Sequence, residues 1–165
     1  MRILVGKREP FRLDERDMRK EITDVLGVPG ILNVRIFNGY EIDGVKDVEK
    51  AKQAVFSEPG QDIVYEEKAD TADAAYVFTI AAAIDQYDQR EDFASLLLRV
   101  LEPDSKPAVR AFKQIALYGE ISRDDFNRIK KYYINPLEMR ELQATEAMRR
   151  SYREPEDIAQ IEGFS

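Results

Sequence analysis

The sequence predicts an α+β fold in which one unit of about 75 residues is used twice. The segment NVRIFNGYEIDG begins at Asn33, and the segment AVRAFKQIALYG begins at Ala108. Both are Arg-bearing apolar runs that end in glycine, and their matching residues lie 75 positions apart. Strand-like and helix-like patterns also follow one another in similar order on either side of the joint at 68–74.

The same offset extends to the flanking segments. It matches Ile3 and Val5 with Phe78 and Ile80. It also matches two apolar helical faces, which are Met18, Ile22, Val25 and Leu26 in the first half and Phe93, Leu97, Val100 and Leu101 in the second. We therefore predict copies of the β-α-β-α-β type at about 1–70 and 75–136, forming a pseudo-dimer, since one copy alone would bury little surface.

The first copy begins with an apolar strand at Arg2–Lys7. A helix is expected to follow from Leu13, with Asp14 as its cap and Gly27 after its end. The alternation of apolar residues over Leu32–Ile42 predicts a half-buried strand, with Asn38-Gly39 as a bulge or bend. The remaining predicted elements are a turn at Asp43-Gly44, a helix with Val48, Ala51 and Val55 on its apolar face, and a strand at 62–67.

The second copy reads as β-α-β-α. Its strands are expected at 75–84 and 109–118, and its first helix at 91–101. Ser122 and Asp125 have the spacing of a capping box for the last helix, whose apolar face would hold Phe126, Ile129 and Tyr133. The stretch 137–165 is highly charged, its first half has helix-forming composition, and it is expected to be a linker.

The composition excludes several classes of function. The chain of 165 residues contains neither cysteine nor histidine, so it has no thiolate or imidazole for catalysis or for a usual zinc site. A formal net charge of −7 argues against nucleic-acid binding. No apolar run is long enough to cross a bilayer. We expect a cytoplasmic protein with no metal site and no cofactor of its own.

Two polar segments are candidate interaction sites. The first lies at the entry to a helix and contains Gln86, Tyr87, Asp88, Gln89 and Arg90. These side chains could bind a partner surface or an anion, or they could be ordinary turn and cap residues. The second contains Asn135, Glu138 and Arg140, and it is either an interface clamp or a helix stop before a solvated linker.

Arg35 and Arg110 occupy equivalent places in the two halves. Arginines on paired strands can bind phosphate, but pairing with an acidic residue across the strands is the more ordinary role. The adjacent carboxylates Glu66-Glu67 and Asp124-Asp125 show no apolar surroundings that would raise a pKa, so no reaction centre is predicted.

Four segments, taken in order, resemble a known family. FNGYEIDG, VFSEP with DIVYEE, QYDQRED and KKYYINPLEMRE are similar to the N-terminal region of the large form of phosphoribosylformylglycinamidine synthase. That family is the glutamine-dependent amidotransferase of purine biosynthesis. The resemblance spans nearly the whole chain, from Arg2 to Phe164.

The resemblance implies an internally duplicated domain, similar to a dimer of the small PurS subunit, with no catalytic role of its own. The family enzyme uses ATP, Mg and a Cys-His-Glu glutaminase, and these parts lie beyond the region that this chain resembles. The chain would then be an N-terminal piece, inactive alone, that docks against the synthetase and glutaminase portions. Its docking surface would include the two candidate segments, and Ala at Arg90 and Arg140 is expected to weaken association without affecting the fold.

An alternative reading remains open, in which the chain is a stand-alone PurS-like binding or regulatory module that self-associates. A long downstream reading frame would exclude it, whereas a stop after Ser165 would favour it.

Overall fold

The computed structural model describes residues 1–83, 88–134 and 139–142. Within these ranges the chain forms an α+β fold with one antiparallel sheet of six strands. The strands are β1 (Arg2–Lys7), β2 (Ile31–Asp43), β3 (Asp62–Glu66), β4 (Tyr76–Ala82), β5 (Ala108–Gly119) and β6 (Met139–Leu142). Their order across the sheet is β3-β1-β2-β5-β4-β6, so the two longest strands pair at its centre.

Four helices accompany the sheet. They are α1 (Leu13–Asp24), α2 (Val48–Ala51), α3 (Gln89–Leu101) and α4 (Arg123–Tyr133), and a π-helical turn at Lys52–Phe56 continues α2. The predicted cap of α4 is confirmed, because Ser122 Oγ accepts a hydrogen bond from the backbone N–H of Asp125 at 3.0 Å. Gly27 follows α1 with a positive φ of 69°, as expected for a glycine that ends a helix. No helix of the described residues is long and apolar enough to cross a membrane.

The helices pack on one face of the sheet, in two pairs. The α1–α4 pair covers an apolar cluster that includes Val34, Phe78 and Leu117. The α2–α3 pair covers a second cluster that includes Ile3 and Ile42. Since α1 precedes α4 by about a hundred residues and α3 follows α2 by about forty, each pair joins one helix from each half of the chain.

The other face of the sheet has its own buried cluster, built around Phe37 and Phe112, and no helix residue belongs to it. Each ring lies across from a glycine on the neighbouring strand, since Phe37 pairs with Gly6 and Phe112 pairs with Gly39. A Cβ on Gly39 would lie 2.1 Å from the Phe112 ring. Gly39 is therefore glycine because of a cross-strand neighbour, and the predicted bulge at Asn38-Gly39 is wrong: the pairing of β2 is regular there, and its one irregularity lies between Ile31 and Asn33.

Two further expectations for the helices are wrong. Asp14 lies in the first turn of α1 and does not cap it, because the helix begins two residues earlier than this cap would require and has Arg12 at the cap position without a capping side chain. The helical faces do not follow the 75-residue offset either. The buried residues of α3 are Ala94 and Leu98, whereas Phe93 and Val100 are 63% and 73% exposed.

The stretch predicted as a linker contributes a strand. Residues 139–142 form β6 and pair with the free edge of β4, with Ala82 opposite Met139 and Thr79 opposite Leu142. Helix-forming composition is overridden there because pairing satisfies the backbone of the edge and Leu142 becomes buried. Residues 143–165 lie outside the described residues.

Candidate functional site

The structure describes half of the predicted site residues. Asp88, Gln89, Arg90 and Arg140 are described, whereas Gln86, Tyr87, Asn135 and Glu138 lie outside the described residues. The ends of β4 and β6 to which the two predicted segments are joined lie side by side, because Ala82 pairs with Met139. The topology therefore brings the attachment points of both segments to one end of the sheet.

Asp88 and Arg90 form the start of α3. Asp88 is the cap residue and its Oδ1 accepts a hydrogen bond from the backbone N–H of Arg90 at 2.9 Å. The guanidinium of Arg90 donates to Asn38 Oδ1 at 3.1 Å and to the carbonyl of Phe112 at 3.4 Å. Arg90 thus ties α3 to both central strands, which gives it a role in the fold itself.

The same arginine influences a buried tyrosine. Its guanidinium carbon lies 5.7 Å from the centre of the Tyr40 ring, in the range of a cation–π contact. Burial raises the pKa of the Tyr40 hydroxyl, and the positive charge of Arg90 opposes this effect without reversing it. Gln89 is exposed beside Arg90. Arg140 is half-buried, and its Nε donates to the carbonyl of Ala82 at 3.1 Å.

Arg35 and Arg110 each pair with an acidic residue at the start of a helix. Arg35 Nε donates to Glu15 of α1 at 2.9 Å, and the same carboxylate oxygen accepts from the backbone N–H of Ile36 at 2.6 Å. Arg110 lies 3.9 Å from Glu91 of α3, whose other oxygen accepts from the backbone N–H of Ala111 at 2.7 Å. These arginines hold helix N-termini onto the sheet, which the sequence analysis did not predict.

One row of residues across the helix-bearing face is interrupted by two polar side chains. In register across the sheet lie Val64, Val5, Asn38, Lys113 and Ile80. The two apolar clusters lie on either side of Asn38 and Lys113, and neither cluster includes these two residues. Because polar side chains at this position cannot support a packed helix, a groove remains open there.

The groove has a volume of about 440 Å³. Val5, Ile36, Asn38 and Lys113 form its floor, the segment from Phe11 to Glu15 at the start of α1 lines one side, and Lys7, Phe56 and Asp62 complete the lining. Lys7 and Asp62 pair with each other at 2.9 Å. Arg12 donates to the carbonyl of Lys7 at 2.9 Å. Arg12 also lies 3.9 Å from Glu15, so most of the charged groups of the groove have an opposite charge beside them.

Lys113 differs from the other cations of the groove. Its ammonium group makes no hydrogen bond and no ion pair with any residue in the described part of the chain. Partial desolvation of its ammonium lowers the pKa of Lys113, and the charge of Arg90 lowers it further, while Asp14 and Asp88 act in the opposite direction. The sequence analysis did not find this site, although Lys113 interrupts the series Val109, Ala111, Ile115 and Leu117, which is buried on the helix-bearing face.

The described residues contain no group of three or more Asp or Glu side chains placed to hold a metal ion. The arrangement is suited to binding through charge and shape. Comparison of the chain with family models, with curated proteins and with solved structures finds no match.

Proposed function

We propose that this chain is a non-catalytic assembly domain, built as an internal duplication like a PurS dimer, of the kind found at the N-terminus of the large phosphoribosylformylglycinamidine synthases. The full enzyme of that family forms the amidine from formylglycinamide ribonucleotide, glutamine and ATP. The role of this domain is to dock against the synthetase and glutaminase portions and to hold them in a working arrangement.

One observation carries the proposal, and it is the register of the central strand pair. Asn38 pairs with Lys113, which follows it by 75 residues. Residues 33–43 pair with residues 108–118, and these two ranges correspond position by position at the same 75-residue offset, with the Asn38–Lys113 pair at their centre. The offset found in the sequence therefore maps this ladder onto itself, as a two-fold axis between two copies requires.

The strand order agrees with such an axis. Exchanging β1 with β4, β2 with β5 and β3 with β6 turns the order β3-β1-β2-β5-β4-β6 into its own reverse. The edge strand β6 thus takes the place that β3 has in the first half. This symmetry of the strand order is what an internal repeat would produce, and it supports the proposal.

The helices support the duplication with an offset of 76. Glu15 and Glu91 bind the backbone N–H groups of Ile36 and Ala111 in the same way. The buried positions Met18 and Ile22 of α1 correspond to Ala94 and Leu98 of α3 at the same spacing. One additional residue between β4 and α3 explains the change from 75 to 76.

The outer face of α3 supports a docking role. Gln89, Phe93, Leu96 and Val100 are exposed, and their spacing places them along one side of the helix. The corresponding positions of α1 at the 76-residue spacing are Leu13, Asp17, Lys20 and Asp24, so the counterparts of Phe93, Leu96 and Val100 are all charged. An apolar stripe on only one of two equivalent helices is typical of a surface that another protein covers.

The test is a mixing experiment. This chain is added to a family synthase from which the N-terminal region has been removed, and glutamine-dependent amidine formation is measured. We expect activity to rise with added chain and the two proteins to co-migrate in gel filtration. Absence of both binding and activation, also when the chain is fused to the truncated enzyme, would contradict the assembly role.

The docking face is tested with Leu96→Gln and Val100→Gln combined. Both positions are exposed, so the melting temperature should stay within about 2 °C, while association with the truncated synthase weakens at least tenfold. The matched control is Lys20→Gln on the outer face of α1, which should leave association unchanged. Equal binding by the control and the α3 variant would show that docking uses another surface.

A further inference from the structure

The groove between the two helix pairs combines features that neither the fold nor the assembly role requires. Asn38 and Lys113 on its floor are the only polar residues of the row that runs from Val64 to Ile80 through five described strands in register. An apolar pair at Asn38 and Lys113 would join the two core clusters into one and bury more surface. Because Asn38 and Lys113 are polar, this additional apolar surface is not buried, and the presence of two polar residues at this position needs an explanation.

In the described part of the chain, no group accepts a hydrogen bond from the side-chain donors on the groove floor. Lys113 carries three N–H donors and makes no contact with an acceptor in the described chain. Asn38 Oδ1 accepts from Arg90 at 3.1 Å, which fixes the orientation of the amide. Its NH₂ group therefore points away from Arg90 and is free to donate. Asn38 and Lys113, which are paired across β2 and β5, thus both present hydrogen-bond donors to the groove and offer it no acceptor.

The acidic groups of the groove do not fill this role. Asp62 is held by Lys7 at 2.9 Å, and Glu15 is held by Arg35 at 2.9 Å. Asp14 lies exposed at the rim and forms no ion pair with Lys113. Lys113 is exposed to solvent, and no carboxylate in the described part of the chain forms an ion pair with it, so the floor keeps a positive charge without a bound counter-charge.

The rim supplies an apolar surface. Phe11 and Leu13 precede and begin α1, and they are 42% and 62% exposed. Phe56, which is buried, closes the groove on the opposite side. Exposed apolar side chains beside a polar floor match a molecule that has one polar end and one apolar end.

We propose that this groove binds a small organic molecule that carries one anionic group, a carboxylate or a phosphate. The anion accepts hydrogen bonds from Lys113 and from the Asn38 amide, and the apolar body of the molecule packs against Phe11, Leu13 and Phe56. A volume of about 440 Å³ accommodates a molecule of one ring with its substituents. This site does not depend on the assembly role, because it lies beside the start of α1 and does not use the outer face of α3.

The experiment uses the whole 165-residue chain and three probes of similar size, phenyl phosphate, phenylacetate and neutral 2-phenylethanol. Binding is measured by calorimetry and by amide chemical shifts in ¹H–¹⁵N spectra. We expect at least one anion to bind ten times or more tightly than the neutral probe, with shifts concentrated at Val5, Ile36 and Lys113. Binding of one anion alone identifies the class as carboxylate or phosphate, and binding of both assigns the site to anions in general.

Two variants test the residues. Lys113→Met should weaken anion binding at least tenfold, and the control Lys131→Met, at an exposed position of α4, should leave it within twofold. Asn38→Asp keeps an acceptor for Arg90 but replaces the free amide donors with an anionic oxygen, so it should weaken binding even if Lys113→Met fails to fold. The proposal is overturned if no anion exceeds the neutral probe, if both variants bind as tightly as the unmodified chain, or if the shifts map outside the groove.

Discussion

Glu15 Oε2 lies 2.9 Å from Arg35 Nε, and both side chains are buried. The same oxygen accepts the backbone N–H of Ile36, where β1 no longer pairs with β2. One carboxylate therefore neutralises a buried guanidinium and accepts a hydrogen bond from a backbone N–H of β2 at a position where β1 no longer pairs with it. The first turn of α1 is fixed to the sheet by this single residue.

Glu15→Gln should destabilise the chain by about 2–4 kcal/mol, because Arg35 would remain buried without an anion. Urea unfolding followed by circular dichroism measures the loss. Asp17→Asn, exposed on the same helix, is the matched control and should change the free energy of unfolding by less than about 0.5 kcal/mol. Similar values for the two variants would show that Arg35 finds another partner.

Glu91 should make stability depend on pH in the mildly acidic range. Burial raises the pKa of its carboxyl, although the N–H of Ala111 and the charge of Arg110 oppose the effect. Glu91 then keeps its proton to a higher pH in the folded state than in the unfolded state, where a glutamate has a pKa of about 4.3. The stabilisation that results from this difference in pKa is fully present below the unfolded pKa and is lost as the pH rises through the folded pKa.

Glu91→Gln removes this titration. The free energy of unfolding of the unmodified chain, relative to that of the variant, should fall between pH 4 and pH 7. Urea titrations of both proteins at intervals across this range measure the difference. A difference that rises with pH at Glu91 would reverse the assignment.

Gly39→Ala should destabilise the chain by about 1–3 kcal/mol. The added Cβ would lie 2.1 Å from the ring of Phe112, which is fully buried and has no space to move. Thermal melting measures the effect, and the double variant Gly39→Ala with Phe112→Leu should recover part of the loss relative to Phe112→Leu alone. Without such recovery, the cost would come from the backbone and not from the ring.

The two halves of the chain should fail to fold separately as monomers. Met18 and Ile22 pack with Phe126 and Ile129 of the other half, and the Tyr133 hydroxyl donates to Glu21 at 2.5 Å. The carboxylate of Glu102 accepts from the N–H groups of Lys46 and Asp47 at 2.9 Å each, again across the halves. Removing either half therefore exposes the cores of the remaining one.

Fragments 1–70 and 71–165, purified separately, should each show little helical signal, and equimolar mixing should restore the spectrum of the intact chain. The signal of either fragment is expected to depend on concentration if it pairs with itself. A cooperative melt of one fragment that is independent of concentration would contradict this expectation and would show that the halves are autonomous.

Some of the site could have been found from the sequence, and some could not. The position of Arg90 at a helix entry was readable from IDQYDQRED, but its bonds to Asn38 and to the Phe112 carbonyl join residues that are 52 and 22 positions away. Glu15 and Glu91 gave no signal, because a buried glutamate in a first helical turn has the same sequence pattern as an exposed one. The meeting of Asn38 with Lys113 depended on the register of two strands from different halves.

The sequence by itself determined the elements of this protein. Alternating apolar residues predicted β1 to β5 to within a few residues, and the Ser122–Asp125 spacing predicted the start of α4, because these features depend on neighbours along the chain. Only the tertiary structure decided which face of α3 is buried, why residue 39 is glycine and that 139–142 form a strand. A shift of one residue turns a helix by about 100° and a cross-strand contact joins distant residues, so these outcomes depend on packing between the halves.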